Sequence, residues 1–193
     1  MPIDTLRLPA AGNAIAPVVA PRLAPLFCLV LLAASCALAS FALACATPFA
    51  AFAVLASAML PLSSALSVVG TVWAINQAIG FGWLHYPMDA NTILWGVAIG
   101  LAALVATVMS KIVLRILLRY ATAPAFAFAL LSAYGAYEVV LLAATPFLGG
   151  SGSFTAAIIV RLGLLNVVWL IGLTAVCVAI TLARKFRHER AFS

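Results

Sequence analysis

Uninterrupted apolar sequence limits what this chain can fold into. Between Leu23 and Met88 there is no Asp, Glu, Lys or Arg. Of the 193 residues, 67% are hydrophobic and 7% are charged, so a soluble domain of this composition would have too few polar side chains to cover its surface. Long apolar runs broken by Pro, Gly and short charged clusters are typical of a polytopic helical membrane protein. We therefore expect an all-α helical bundle embedded in the lipid bilayer.

The apolar runs and the breaks between them predict six transmembrane helices. A helical crossing takes about 20 residues, so the tract from Thr47 to Leu84 is too long for one span, and Pro61 interrupts it. We expect two spans there, the first of them short or tilted. The other predicted spans are residues 23–46, 92–110, 122–144 with Pro124 at a helix start, and 154–183.

The predicted organisation is a mobile cytoplasmic leader (1–21), a six-span bundle (22–185) and a basic cytoplasmic tail (186–193). A cleaved signal peptide is the alternative for the first apolar run, because Ala42-Leu43-Ala44 resembles a small-residue cleavage site. The run is longer than an ordinary signal core, which favours a span.

Basic residues give the orientation of the bundle. They cluster before the first predicted span, after the fourth and after the sixth: Arg7 and Arg22; Lys111, Arg115 and Arg119; Arg184, Lys185, Arg187 and Arg190. Six spans place all three clusters in the cytoplasm, whereas five would put the middle cluster on the opposite side. We therefore predict that both termini are cytoplasmic. The middle cluster recurs every four residues along one helix face, where we expect lipid headgroups or a cytoplasmic partner.

The basic residues at the span ends also indicate which kind of partner to expect. The formal net charge of +6 suggests nucleic acid at first sight, but these residues lie where anionic headgroups meet the protein. We expect lipid contact and no nucleic-acid binding.

A polar and aromatic segment at the outer end of the third predicted span is the first candidate site. Amide and imidazole groups are costly in lipid and are usually kept for a cavity, a ligand or a helix contact. The candidates are Asn76, Gln77, Trp83, His85 and Tyr86. Trp83 and Tyr86, like Trp95, are equally typical of an interfacial aromatic belt, and His85 of an interfacial loop. One histidine makes no protein-only metal site, although its imidazole is a competent ligand for a metal held in a macrocycle.

Glu138 and Arg161 form the second candidate site. Each lies seven residues from the outer end of its predicted span, on helices joined by a short loop. An unpaired charge at that depth costs on the order of several kcal/mol, so we predict that the two pair or share a polar group of a ligand. A pair that only locks two helices is an equally good explanation. On the same helix Tyr134, Tyr137, Glu138 and Leu141 follow i, i+3, i+4, i+7 spacing, which places them on one face.

Catalytic motifs are missing from the sequence. It contains no HExxH, GxSxG or Walker motif and no paired intramembrane carboxylates, so we expect no enzyme, and active transport would need a separate motor. The cysteines have no metal-binding spacing and are expected to act as small hydrophobic residues: Cys28, Cys36, Cys45 and Cys177.

One run carries a resemblance to a known family. The motif is Asn76-Gln77-x2-Gly80-Phe81-x2-Leu84-x-Tyr86-Pro87, followed by Thr92-x2-Trp95-Gly96. With the size and inferred topology, it resembles the membrane-embedded substrate-binding subunits, or S components, of energy-coupling factor vitamin transporters. Among these the chain looks most like the cobalamin type of Gram-negative bacteria.

The resemblance implies a multi-pass protein of the bacterial inner membrane that captures cobalamin or a related corrinoid in an outward-facing pocket. A side chain near the end of the third span would approach the cobalt, and His85 is the available donor. The partners implied are the lipid bilayer and a transmembrane coupling subunit with ATPases, which small residues of the first span would contact: Ala33, Ala37, Ser40 and Ala44. The alternative is a non-catalytic structural or assembly subunit of a larger membrane complex.

Overall fold

The regular structure of the described chain is entirely helical. A computed structural model describes residues 21–43, 46–150, 152 and 154–190. Six helices follow one another: α1 Ala24–Leu43, α2 Phe49–Met59, α3 Leu62–Gly82, α4 Ala90–Leu117, α5 Thr122–Leu148 and α6 Ala156–Arg190. The predicted all-α class is confirmed for this part of the chain. Residues 1–20 of the predicted leader lie outside it, and α6 continues into the predicted tail.

Five of these helices are long and apolar enough to cross a membrane. The exception is α2, whose 11 residues span about 16 Å at 1.5 Å per residue, roughly half of a hydrocarbon core of about 30 Å. The tract from Thr47 to Leu84 is divided as predicted, because α2 ends at Met59 and Pro61 precedes α3. The fold is that of a multi-pass membrane protein with five candidate spans and one short helix.

The short helix α2 lies at the centre of the bundle. All of its residues are buried, and it contacts each of the other five helices. It contains only apolar residues and one serine, so no face of it prefers water. Leu60 is held in an extended conformation, as expected before a proline, and this stops the helix at the Leu60–Pro61 boundary.

The wall around α2 is closed on one side and loose on the other. The interface between α4 and α5 is the most extensive in the bundle, and both helices bury alanines that let their backbones approach closely: Ala102, Ala103, Ala106, Ala125, Ala129 and Ala133. By contrast α6 packs mainly on α2, and an apolar groove of about 1140 Å³ runs between α5 and α6. The α5–α6 side is therefore the open side of the bundle.

Two ends of the bundle can be defined. Cys28, early in α1, and Cys177, late in α6, are close enough to interact electrostatically, so α1 begins and α6 ends at the same end, here called the terminal end. The exposed arginines of the described chain that flank α1, α4 and α6 lie there: Arg22, Arg115, Arg119 and Arg184. The opposite end, here called the loop end, carries residues 83–89 and the start of α6.

The loop between α3 and α4 ends in a helix cap. The Asp89 carboxylate accepts the Thr92 backbone N–H at 2.8 Å and the Thr92 hydroxyl at 3.0 Å. These hydrogen bonds, the backbone bond first, hold the pKa of Asp89 below its ordinary value. A charged carboxylate is thus kept at the positive end of α4, where it stabilises the first turn.

Candidate ligand site at the head of a buried half-helix

A cavity of about 290 Å³ lies beyond the amino end of α2, at the loop end of the bundle. Its walls come from the segment before α2 and from α4, α5 and α6. The cavity exists because α2 is short: the volume that a full-length helix would fill toward the loop end is left to side chains and space. Asn166, at the floor, is ten residues into α6 and hence roughly 15 Å from its start.

Asn166 fixes the amino end of α2. Its Oδ1 accepts the Ala51 backbone N–H at 3.0 Å, and its Nδ2 donates to the Leu162 carbonyl at 2.9 Å. The residue before α2 is Pro48, which offers no side-chain cap, so α6 supplies the acceptor that the local sequence lacks. The Asn166 amide is therefore committed at both atoms and ties α6 to α2.

Lys111 fixes the carboxyl end of α2. Its Nζ donates to the Ser57 carbonyl at 2.8 Å and to the Leu60 carbonyl at 2.6 Å, and the side chain is only 8% exposed. A cation at this position satisfies carbonyls that have no partner within the helix and complements the helix dipole. The predicted headgroup contact is therefore wrong for Lys111, whereas Arg115 and Arg119 are exposed.

Glu138 is the charged residue of the cavity wall. Tyr134, Tyr137, Glu138 and Leu141 all line the cavity, which confirms that they share one face of α5. The Oε1 atom of Glu138 is buried and has no hydrogen-bond partner among the described residues. Burying such an acceptor without a donor costs about 1 to 3 kcal/mol, and more when it is charged, so the atom is where a donor from a ligand would bring the largest gain.

The two tyrosines beside Glu138 interact with its carboxylate and also contact neighbouring helices. The Tyr134 hydroxyl donates to the Ile159 carbonyl at 2.7 Å, so its single proton links α5 to α6. Tyr134 also lines the apolar groove, and it therefore forms the partition between cavity and groove. The Tyr137 ring stacks on Phe49 at the start of α2, with ring centroids 6.5 Å apart and an interplanar angle of 26°.

Arg161 does not reach the cavity. The α6 positions that line it are Ile158, Leu162 and Asn166, which are four residues apart and share a face. Arg161 precedes Leu162 by one residue, about 100° around the helix, and its side chain is exposed. Within the described residues no ion pair joins it to Glu138, so the predicted pair is not formed: the depths match, but the directions do not.

Asn76 and Gln77 support the cavity without lining it. Asn76 Nδ2 donates to Ser40 Oγ and to Thr47 Oγ1, both at 3.0 Å, and Gln77 Nε2 donates to Asn76 Oδ1 at 3.1 Å. Thr47 itself lines the cavity. This network joins α1 and α3 to the segment that leads into α2.

The other residues of the first candidate site lie outside the cavity. Trp83 is exposed and makes an edge contact with Phe41, and Tyr86 packs against Gly80 and Phe81. His85 is an exposed loop residue with a positive φ of 55°. In the part of the chain that the structure describes, no group of three or more potential ligands could hold a metal.

The cysteines are buried where they are described. Cys28, Cys36 and Cys177 are free thiols inside the core, as expected of cysteines that act as small hydrophobic residues. Cys45 lies outside the described residues, as does Ala44 of the small-residue series of the first predicted span.

Several cavity residues were not singled out as binding residues by the sequence. Trp95, for which the sequence favours an interfacial belt, lines the cavity, as do Thr47 and Asn166, which no sequence pattern marks as binding residues. Asn166 could have been recognised, because an isolated amide in the middle of an apolar span is costly unless it has hydrogen-bond partners. The same argument applies to Lys111, but the neighbouring arginines made it resemble a basic residue at the membrane surface.

Comparison with known proteins adds no relative. No protein-family model, curated protein or solved structure matches this chain. The class that fold and site define is a multi-pass helical membrane protein with a largely apolar cavity at one end, whose wall includes one carboxylate.

Proposed function

We propose that this protein is a membrane-embedded substrate-binding subunit that captures a small micronutrient without catalysing a reaction. The observation that carries the proposal is the cavity beyond the amino end of α2, where a buried carboxylate oxygen has no donor among the described residues. Lone buried acceptors are costly, so a fold that retains one beside a cavity is suited to a ligand that satisfies it.

The proposed orientation places the terminal end in the cytoplasm and the cavity toward the outside of a bacterial inner membrane. Exposed arginines at the terminal end support it through the positive-inside rule. In this orientation α2 and the segment before it together connect the two sides, and the start of α1 and the end of α6 both face the cytoplasm. The cavity then receives solutes from the outer side.

Uptake would require a partner that supplies energy. The sequence contains no ATP-binding motif, so we propose a transmembrane coupling subunit with ATPases as the partner, as the resemblance to S components implies. The motif residue Asn76 supports the cavity wall through Thr47, which gives that part of the motif a structural role compatible with ligand capture.

The size of the cavity bears on the substrate. At about 290 Å³ it matches the lower end of small-molecule pockets, which run from about 300 to 1,000 Å³. A complete corrinoid is several times larger, and His85 is not in the wall, so the geometry favours a smaller micronutrient over cobalamin. Cobalamin remains the prediction from the resemblance, and a spectroscopic titration of wild type and His85→Ala with cobalamin decides it.

The direct test is to identify what the protein retains on purification. We expect native mass spectrometry of the protein in lipid nanodiscs to show a bound small molecule that Glu138→Gln loses. Asp89→Asn is the matched control, because it makes the same carboxylate-to-amide change at an exposed cap where asparagine also serves. If wild type retains nothing and binds no component of a metabolite extract, the proposal fails in favour of the assembly subunit.

A further inference from the structure

We propose that the cavity selects ligands with a protonated N–H group, such as a primary or secondary ammonium, attached to a small apolar or aromatic body. The ammonium would donate to Glu138 Oε1. This inference rests on the proposed function and specifies the chemical class of its substrate.

Hydrogen bonding within the cavity supports a donor on the ligand. Asn166 Oδ1 already accepts the Ala51 N–H, and the Tyr134 hydroxyl donates to the Ile159 carbonyl. Among the described residues, the buried acceptor without a partner is Glu138 Oε1. A ligand that brings only acceptors leaves this oxygen unsatisfied, whereas an N–H donor satisfies it.

The charge of the cavity wall supports a cation. Glu138 is the one Asp, Glu, Lys, Arg or His among the described lining residues, since Lys111 lies at the other end of α2 and Arg161 is exposed elsewhere. A carboxylate with a buried oxygen favours a positive group and repels a negative one. Aromatic rings of Trp95, Tyr137 and Phe154 also line the cavity, and aromatic walls attract cations further.

The amino end of α2 does not reverse this preference. A helix amino terminus attracts anions when its N–H groups are free. Here the Phe49 N–H is bonded to the Thr47 carbonyl, the Ala51 N–H to Asn166 and the Phe52 N–H to the Pro48 carbonyl. Pro48 has no N–H to offer. The first turn of α2 is therefore largely satisfied by the protein itself.

The remaining walls of the cavity determine the size and polarity of the rest of the ligand. They are aliphatic, formed by Ile99, Leu141, Ile158 and Leu162, and they favour an apolar group. The volume of about 290 Å³ limits that group to roughly a single ring with a short side chain. An arylalkylamine has this size and polarity.

The test uses three probes with one body and different charges: phenethylammonium, 2-phenylethanol and 3-phenylpropanoate. We expect calorimetric titration of wild type in nanodiscs to favour the ammonium over the alcohol and the carboxylate by about ten-fold or more, as a charge-assisted hydrogen bond provides. In Glu138→Gln that preference should disappear, and in Asp89→Asn it should be unchanged. Glu138→Asp, which keeps the charge, should retain part of it.

The outcomes separate this inference from the proposed function. Equal binding of the three probes by wild type, or preference for the carboxylate, overturns the inference while the protein remains a binding subunit. If none of the three probes binds and a neutral or anionic compound copurifies, the inference is likewise overturned and the proposed binding function stands. Failure of all three with nothing copurifying overturns both. Comparison within wild type needs no variant to fold.

Discussion

The two ends of the buried helix α2 handle charge in opposite ways. At its carboxyl end Lys111 donates from its ammonium to two backbone carbonyls. Beyond its amino end Glu138 borders a cavity, and its Oε1 atom has no hydrogen-bond partner among the described residues. A buried charge bonded to the backbone indicates architecture, and one with an unpaired atom beside a cavity indicates a place for a ligand.

The contrast follows from where α2 stops. Its carboxyl end meets the Leu60–Pro61 boundary at the depth where Lys111 projects from α4, so the lysine can close it. Its amino end starts half-way through the bundle, and the space beyond it is bordered by α4, α5 and α6. The shortness of one helix thus produces both the capped end and the cavity.

Breaking the closed end should have the largest effect. Lys111→Met leaves the Ser57 and Leu60 carbonyls buried without a donor, and we expect a loss of about 2 to 5 kcal/mol in the free energy of unfolding. Thermal unfolding in detergent measures it as a lower transition temperature. Arg115→Met, an exposed cation on the same helix, is the control. Equal stability of the two variants would show that Lys111 is not a structural cap.

Releasing the amino end should cost less. Asn166→Leu keeps the approximate volume but leaves the Ala51 N–H without its acceptor, for an expected loss of about 1 to 3 kcal/mol. Because α6 packs mainly on α2, we also expect faster hydrogen exchange in α6. Thr174→Val, which removes a hydroxyl bonded only within α6, is the comparison. Unchanged exchange in α6 would argue against the tie between these helices.

Replacing Glu138 by an apolar residue should not lower the stability of the protein, in contrast to the two preceding variants. Glu138→Leu removes a buried acceptor that has no donor among the described residues, so we expect the protein to keep its stability or gain about 1 kcal/mol while it loses its ligand. The pair of measurements is the unfolding temperature and ligand retention. A clear loss of stability would instead assign Glu138 a structural role like that of Lys111.

Arg161 should matter least. Its side chain is exposed and does not line the cavity, so we expect Arg161→Ala to change stability by less than about 0.5 kcal/mol. A stability titration against wild type in the same lipid is sufficient. A loss comparable with that of Lys111→Met would mean that Arg161 pairs with Glu138 in the membrane after all.

The sequence predicted the all-helical class, the break at Pro61 between two helices and the shared face of α5, because these features depend on local composition and periodicity. It did not reveal that α2 is enclosed on all sides, since an apolar run looks alike whether it faces lipid or protein. The position of Arg161 in the sequence predicted its depth in the membrane, but the direction of its side chain depended on how α6 packs. Lys111 looked like its neighbouring arginines until α2 supplied two carbonyls beside it.

The same distinction between local pattern and tertiary packing applies to the candidate site. Tyr134, Tyr137 and Glu138 were found because their spacing fixes a common face. Asn76 and Gln77 were recognised as costly polar groups, but the sequence could not show that Ser40 and Thr47 would receive the Asn76 amide. Only tertiary packing decides whether a polar group in a membrane serves a ligand or a neighbouring helix.

An experimental structure of the purified protein with its copurified ligand decides whether the cavity beyond the amino end of α2 holds that ligand through Glu138. We expect ligand density between α4, α5 and α6, with a donor atom within hydrogen-bond distance of Glu138 Oε1. Ligand density beside His85 in the α3–α4 loop, with the cavity unoccupied, would rule out Glu138 as the binding residue.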